Sequence, residues 1–338
     1  MDWFERLTGF QEGAYAETKA KLAVEGERLV SKVNGRSYGI GRFDMVSLAE
    51  LRQRAAAGGA VGRPRVSIVT GDVGLMHQAP GYAGALFQVA SQTNCLEMVG
   101  PSITPEHGVT GYQHDRTQGP ACAIAAGAAT IYRNYFAPVG DQHGQTAARQ
   151  LDGLADVGAA LSAALDRPVQ DLWTTSNGYA LATRSGLDMI NAYLASAGPD
   201  AIDDLRGRLS IGVHFDVEVT AAAALPGPVV SQAFCSALPV AYSGVPAKYW
   251  APFATLVLEA AYEATLLAAM RNSARGGSNI VLLTMLGGGA FGNEDEWIHH
   301  AIERAIEQVR GVDLDVRLVS YCPPSATLRA LSGRLRVA

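Results

Sequence analysis

Apolar residues along this chain fall into short runs separated by polar breaks and by longer alanine-rich stretches. Strand–helix–strand units produce this alternation when a sheet is covered on both faces. Residues 65–70, 84–90, 209–220, 229–242, 279–286 and 314–321 read as strands, with shorter ones at 28–33 and 37–46. Helical spacing predicts helices over 14–25, 121–136, 145–165, 186–197, 252–275 and 296–309, and another starting at Ser47, where Glu50 completes a capping box. Gly58, Gly59, Gly62 and Pro64 break the chain before the strand at 65–70. Residues 98–119 carry Gly, Pro and His without periodicity, and irregular stretches of this length are usually functional, so they form a candidate active-site loop. The last segment, 279–321, is a βαβ unit whose glycines lie at the carboxyl end of its first strand, where open α/β sheets hold ligands.

Composition narrows the class. The 338 residues are 48% hydrophobic and 17% charged, which favours a globular α/β chain over a disordered or fibrous one. A net charge of −5 and the lack of a Lys/Arg run leave no footprint for duplex nucleic acid. Cys95, Cys122, Cys235 and Cys322 form no CxxC pair and read as reduced and mostly buried. The first thirteen residues lack the blocks of a signal peptide, and every apolar run is shorter than the roughly 20 residues of a membrane span, so a cytoplasmic protein without membrane contact is expected. His107, His114 and Asp115 match no closed zinc pattern, and no metal or cofactor is expected. His299 and His300 point to different sides of one helix and read as surface residues.

The glycine-rich turn Gly287-Gly288-Gly289-Ala290-Phe291-Gly292-Asn293 can do one of two things. Its amides can cradle a diphosphate, or the glycines can serve only the dihedrals of a tight strand-to-helix turn. Three further stretches bear on the choice. Ser67-Ile-Val-Thr-Gly-Asp-Val73 resembles the strand that opens a macrodomain, and Ala85-Leu-Phe-Gln-Val-Ala-Ser91 followed by Gln92-Thr-Asn94 is similar to that family's second buried strand. The run from Leu286 to Asn293 resembles the diphosphate loop in the Gly-Ala-Phe-Gly form of poly(ADP-ribose) glycohydrolases, and Gly108-Val-Thr-Gly-Tyr-Gln-His-Asp115 resembles their catalytic loop, without its triple glycine and with His and Asp for its two acidic residues.

This resemblance implies a three-layer α/β/α macrodomain-like mixed sheet in one enlarged domain, with an N-terminal extension over 1–60 and a helical insertion over 137–208. It implies that Asp72, with Val73 beside it, reads adenine. Asn94 would stand by the distal ribose, Gln88 and Ser91 occupying positions where the family has Asn, and the 287–293 turn would hold the diphosphate. Ser236, Tyr242, Asn134 and Asn177 are further candidates for the crevice wall. The implied ligand is ADP-ribose or an ADP-ribosylated substrate, and the implied reaction is cleavage at C1 of the distal ribose with Asp115 as acid, Glu106 being second choice. A reader that binds the same ligand without turning it over is the alternative.

Overall fold

Seven strands make the central sheet of the computed structural model, which describes residues 1–55 and 60–337. Numbered in chain order within this sheet, they are β1 (Arg42–Ser47), β2 (Arg65–Thr70), β3 (Leu86–Ala90), β4 (Ser210–Glu218), β5 (Val229–Cys235), β6 (Ile280–Leu283) and β7 (Asp315–Ser320). Their spatial order is β1-β4-β5-β3-β6-β7-β2. The run from β5 to β2 is parallel, while β4 is antiparallel to both β1 and β5, so the sheet is mixed.

Both faces are covered, as the apolar runs require. On one face Phe87, Val89, Phe234 and Leu282 pack against Cys122, Ala126 and Ala129. On the other, Leu86, Ala233, Cys235, Val281 and Leu318 meet the long helix Ala247–Ala274 and the helix Asp295–Gln308. The expected three-layer α/β/α arrangement is therefore present. By length and composition alone, Ala247–Ala274 could cross a bilayer; in the fold 94% of its most apolar window is buried. Its two buried carboxylates tie it to the outer helices. Glu263 accepts from Arg52 Nε (2.6 Å) and from Arg304, while Glu259 accepts from Arg206 Nε (2.6 Å) and meets His300 Nε2 (3.0 Å). His299, read above as a surface residue, is buried on the inner side of Asp295–Gln308.

Several boundaries move, for identifiable reasons. The helix expected over 14–25 is only Tyr15–Ala20, because Leu22–Glu25 pairs antiparallel with Arg28–Ser31 in a separate three-stranded sheet. The helix expected over 145–165 begins at Ala155, since the side chain of Gln145 bridges the carbonyls of Asn94 and Arg133. The helix over 121–136 is two, Gln118–Ala125 and Gly127–Tyr135, broken at Ala126. The insertion also carries a hairpin, Trp173–Ser176 with Tyr179–Ala182, that helical spacing did not suggest. The Ser47–Glu50 capping box forms as expected, with Ser47 N donating to Glu50 Oε2 at 2.9 Å. Gly58 and Gly59 lie outside the described residues.

The N-terminal extension packs Trp3, Phe4 and Leu7 in one cluster with Val109 and Tyr112 of the candidate loop, and it also holds that loop with a carboxylate. Glu12 accepts from the amides of Val109 (2.8 Å) and Thr110 (2.6 Å) and from the hydroxyl of Tyr135 (2.7 Å). Removing one acceptor from several donors of which some stay buried costs about 1–3 kcal/mol. Glu12→Ala is accordingly expected to lower the denaturation midpoint by that amount and to speed hydrogen exchange at Val109 and Thr110 above that of the sheet. Unchanged exchange at those two amides would remove this role from Glu12.

Candidate functional site

The carboxyl ends of β3, β5 and β6 open onto a cavity of about 250 Å³. Its floor is Ala90 and Ser91 at the end of β3, its walls are Gly119 and Pro120 on one side and residues 285–291 on the other, and Tyr179 and Tyr242 close an end.

The glycine turn forms one wall because its ends are fixed. Tyr262, on the long helix, accepts from the Leu286 amide (2.9 Å) and donates to the Thr284 carbonyl (2.5 Å). Asn293 closes the turn, its amide donating to Gly287 O and its Nδ2 to Leu238 O (2.8 Å). Gly287 and Gly292 hold φ of 75° and 72°, where a Cβ is strained. Among the described residues, no protein acceptor takes the amides of Gly287, Gly289, Ala290 or Phe291. Among the described residues no Lys or Arg lines the cavity, so an anion entering it meets uncharged donors, these backbone amides and side chains such as Gln118, whose Nε2 has no partner.

The opposite wall carries a residue that motif reading missed. Beyond β3 the chain makes a tight loop held by its own side chains. Gln92 accepts from Met98 N (2.9 Å) and donates to Met98 O, Asn94 Oδ1 accepts from Leu96 N (3.0 Å), and Cys95 adopts a φ of 62°. The loop turns Glu97 inward until it is 3% exposed, with its amide donating to the Tyr112 hydroxyl (2.9 Å). Glu97 lines the cavity, and its Oε1 is buried with no partner among the described residues. Burial pushes this carboxyl well above the usual carboxylate range, Arg133 opposes the shift and Asp115 adds to it, so the site favours the neutral form of Glu97.

Room for that carboxyl comes from Gly119, in the first turn of Gln118–Ala125. A Cβ there would collide with the Ala90 carbonyl and Glu97 Oε2 and lie 2.8 Å from Glu97 Cδ. Asp115, at the cavity edge, accepts from Thr117 N (2.8 Å) and shapes the entry into the same helix.

Three aromatic rings meet at the closed end, with centroids of Tyr179, Tyr242 and Phe291 5.1–5.5 Å apart. Tyr179 comes from the insertion hairpin, and its hydroxyl donates to Met98 O (2.8 Å). The hairpin is fixed to the loops below it, with Thr93 N donating to Gly178 O, Asn177 Nδ2 to Pro101 O (2.6 Å) and Gln150 Nε2 to Asn177 Oδ1 (2.8 Å).

Of the residues singled out from sequence, the fold brings Asp115, Gly287, Gly289, Ala290, Phe291, Ser91 and Tyr242 to this cavity. Glu106 is elsewhere, its carboxylate accepting from Ala147 N (2.8 Å). Asn94 is buried outside the wall with both polar atoms engaged, donating to Gln150 Oε1 (2.7 Å) and accepting from Leu96 N. Gln88 faces the long helix, donating to Thr265 Oγ1 (3.0 Å). Asn134 and Asn177 donate to loop carbonyls, and Ser236 lies outside the wall. Gly288 packs near Ile298, Gly292 against Ala241, and Asn293 shapes the turn from below. Asp72 caps the helix Val73–Gln78 at the end of β2, accepting from Gly74 N (2.7 Å) and Leu75 N, and Val73 is core. Neither lines the cavity, but the helix that Asp72 caps packs beside Gln118–Ala125, Gly74 lying next to Ala121.

No family model matches the chain, and no curated protein matches it. Among solved structures the chain is similar to a poly(ADP-ribose) glycohydrolase from Thermomonospora curvata (14% identity, 95% of this chain and 97% of that one, TM-score 0.46) and to one from Deinococcus radiodurans in complex with ADP-ribose (9% identity, 87% and 94%, TM-score 0.48).

Proposed function

We propose that the chain binds ADP-ribose, or a nucleotide close to it, in the cavity at the ends of β3, β5 and β6 and hydrolyses an ADP-ribosyl linkage there, with Glu97 as the acid. The observation that carries this reading is a buried carboxyl, its neutral form favoured by burial, sharing one cavity with a glycine turn in which four amides have no protein acceptor among the described residues. The amides suit a diphosphate. A protonated carboxyl suits a leaving oxygen.

In the step that follows from this arrangement, the proton on Glu97 passes to the oxygen leaving C1 of the distal ribose. The C1–O bond breaks with its electron pair on that oxygen, and the sugar is left as an oxocarbenium-like cation. Water then adds to C1 and gives a proton to the Glu97 carboxylate, which restores the acid. Asp115, on the cavity edge, contributes negative charge that favours the cationic sugar. It takes the role of electrostatic support, and Glu97 replaces it as the proton donor. Phe291 and Tyr242 supply apolar faces for the ribose.

Titration calorimetry with ADP-ribose, AMP and NAD tests binding, and release of ADP-ribose from ADP-ribosylated protein tests turnover. Micromolar binding of ADP-ribose supports the site; no heat from any of the three ligands overturns it. Binding without release from any substrate leaves the reader in place of the hydrolase. The resemblance at Asp72 adds a specific expectation: Asp72→Ser, which keeps a capping oxygen, weakens ADP-ribose by about tenfold, a loss of roughly 1.4 kcal/mol. Equal affinity in that variant would take adenine away from Asp72.

A further inference from the structure

We propose that Arg133 is the positioning residue for Glu97: it braces from behind the turn that delivers the carboxyl, and its guanidinium supplies the charge facing the carboxylate that remains once the proton has left. The inference rests on the reading of Glu97 as the acid.

Arg133 stands on Gly127–Tyr135 and is fully buried. Its Nε donates to the carbonyl of Cys95 (3.2 Å), the residue with positive φ that lies two before Glu97. Its Nη2 donates to Thr130 Oγ1 (2.9 Å), its Nη1 donates to His214 Nδ1 (3.2 Å), and its Cζ lies 3.7 Å from the Phe234 ring centroid. Gln145 adds a second tie, its Nε2 bonding the carbonyls of both Arg133 and Asn94. Guanidinium, helix and glutamate loop are thus fastened together at three points.

A buried cation is ordinarily paired with a carboxylate. Among the described residues, none lies within ion-pair distance of Arg133. Burial accordingly lowers the Arg133 guanidinium to about 10, while Glu97 lies close enough to act on it. His214 cannot share the charge, because burial and Arg133 hold it well below the usual histidine range. The titratable groups near Glu97 are Arg133 on its helix, Asp115 at the cavity edge, Cys95 on the same loop, Tyr112 on the turn 110–114, Tyr179 on the insertion hairpin and Cys122 on Gln118–Ala125. Arg133 is the one among them that brings positive charge. A neutral acid near an unpaired cation gains an opposite charge when it gives up its proton, so the pocket is best compensated in the state that follows proton transfer.

The test is a carbon-13 titration of the glutamate carboxyls in the whole chain, with Glu97 assigned by its loss in Glu97→Gln. In the parent chain, Glu97 should titrate above the other glutamates, the Arg133 Nε–H signal should shift with the same midpoint, and that shift should vanish in Glu97→Gln. In Arg133→Gln the Glu97 midpoint should rise by about one pH unit or more, and in Arg133→Lys, which keeps the charge, by less. An Arg133 Nε–H signal that stays still through the Glu97 midpoint overturns the proposal, as does a folded Arg133→Gln with the midpoint unmoved. If Arg133→Gln does not fold, the parent Nε–H signal decides alone. None of these readouts needs a substrate, so coupling found in a chain without turnover would remove the hydrolase reading and leave the pairing intact, whereas turnover without coupling would do the reverse. Where there is turnover, the alkaline limb of kcat should follow the Glu97 midpoint in each variant, a displacement that simple loosening of the fold would not produce.

Discussion

Glu97→Gln is expected to abolish release of ADP-ribose from ADP-ribosylated protein, by about 10²–10⁴-fold, and to leave affinity for ADP-ribose within about threefold, which is under about 1 kcal/mol. The amide has nearly the shape of the acid, so the cavity keeps its walls, but it has no proton to give. The same variant should be more stable than the parent at alkaline pH. A carboxyl with a raised folded value binds its proton more tightly in the folded chain than in the unfolded one. Its contribution is therefore complete below the ordinary carboxylate range and is lost as pH rises toward the raised value, at up to about 1.4 kcal/mol per pH unit. Gln carries no such loss. Denaturation midpoints of the two chains should lie close near about pH 4 and separate in favour of the variant as pH rises. Parallel curves would mean that Glu97 titrates like an exposed carboxylate, and turnover that persists in the variant would remove it as the acid.

Gly119→Ala tests the same carboxyl from the other side. The added methyl meets two obstacles, the Ala90 carbonyl oxygen, which belongs to the end of a buried strand, and the Glu97 carboxyl. Overpacking of this kind costs about 1–3 kcal/mol, and here the part that yields more readily is the glutamate side chain. Turnover should fall by about 100-fold or more, equivalent to roughly 2.7 kcal/mol, because the acid is pushed from its place on the wall opposite the glycine turn. Affinity for ADP-ribose should fall less. Adding Glu97→Ala to Gly119→Ala removes one obstacle and should return part of the lost stability, while leaving the chain inactive. If the double variant is no more stable than Gly119→Ala, the collision with Glu97 is not what the methyl disturbs.

How far the sequence reveals this site follows from the range of each signal. The strand at Arg65–Thr70, the end of Leu86–Ala90 and the strand–turn–helix–strand unit around Gly287 were legible because each is local, a run of apolar residues followed by glycine or polar punctuation. Glu97 was not, because it lies in Leu96-Glu97-Met98 with no motif around it. A carboxylate inside an apolar run is the one local sign of a buried acid, and it points to no partner. Gly119 falls at the end of the irregular stretch 98–119, and its reason for lacking a side chain stands twenty-two positions earlier in the chain (119 − 97 = 22). Asp115 was legible as a candidate for the cavity, but the buried carboxyl of Glu97 was not. Arg133 in Ile131-Tyr132-Arg133-Asn134-Tyr135 looked like the polar face of a helix ending; only the packing of that helix onto Phe234 and the Cys95 turn makes it a buried cation. The insertion hairpin, which brings Tyr179 to the aromatic end, was read as helical surroundings because its strands are too short for a period-2 pattern to register.

The strand order also bears on the route by which this chain acquires its shape. β2 is a sheet edge whose one neighbour in the sheet is β7, so Val66 must wait for Val316. β3, made early, lies between β5 and β6, both of which follow it far along the sequence, β6 by more than half of it. Pairings so distant along the chain close large loops before they gain any contact, and they slow folding. A growing polypeptide would therefore expose the apolar face of β3 and all of Ala247–Ala274 until β6 and β7 arrive, the interval in which aggregation or chaperone capture competes. The cavity, floored by β3 and walled by the turn after β6, would be among the last parts to take shape, so gain of ligand affinity during refolding should track the slowest kinetic phase rather than the early formation of helix.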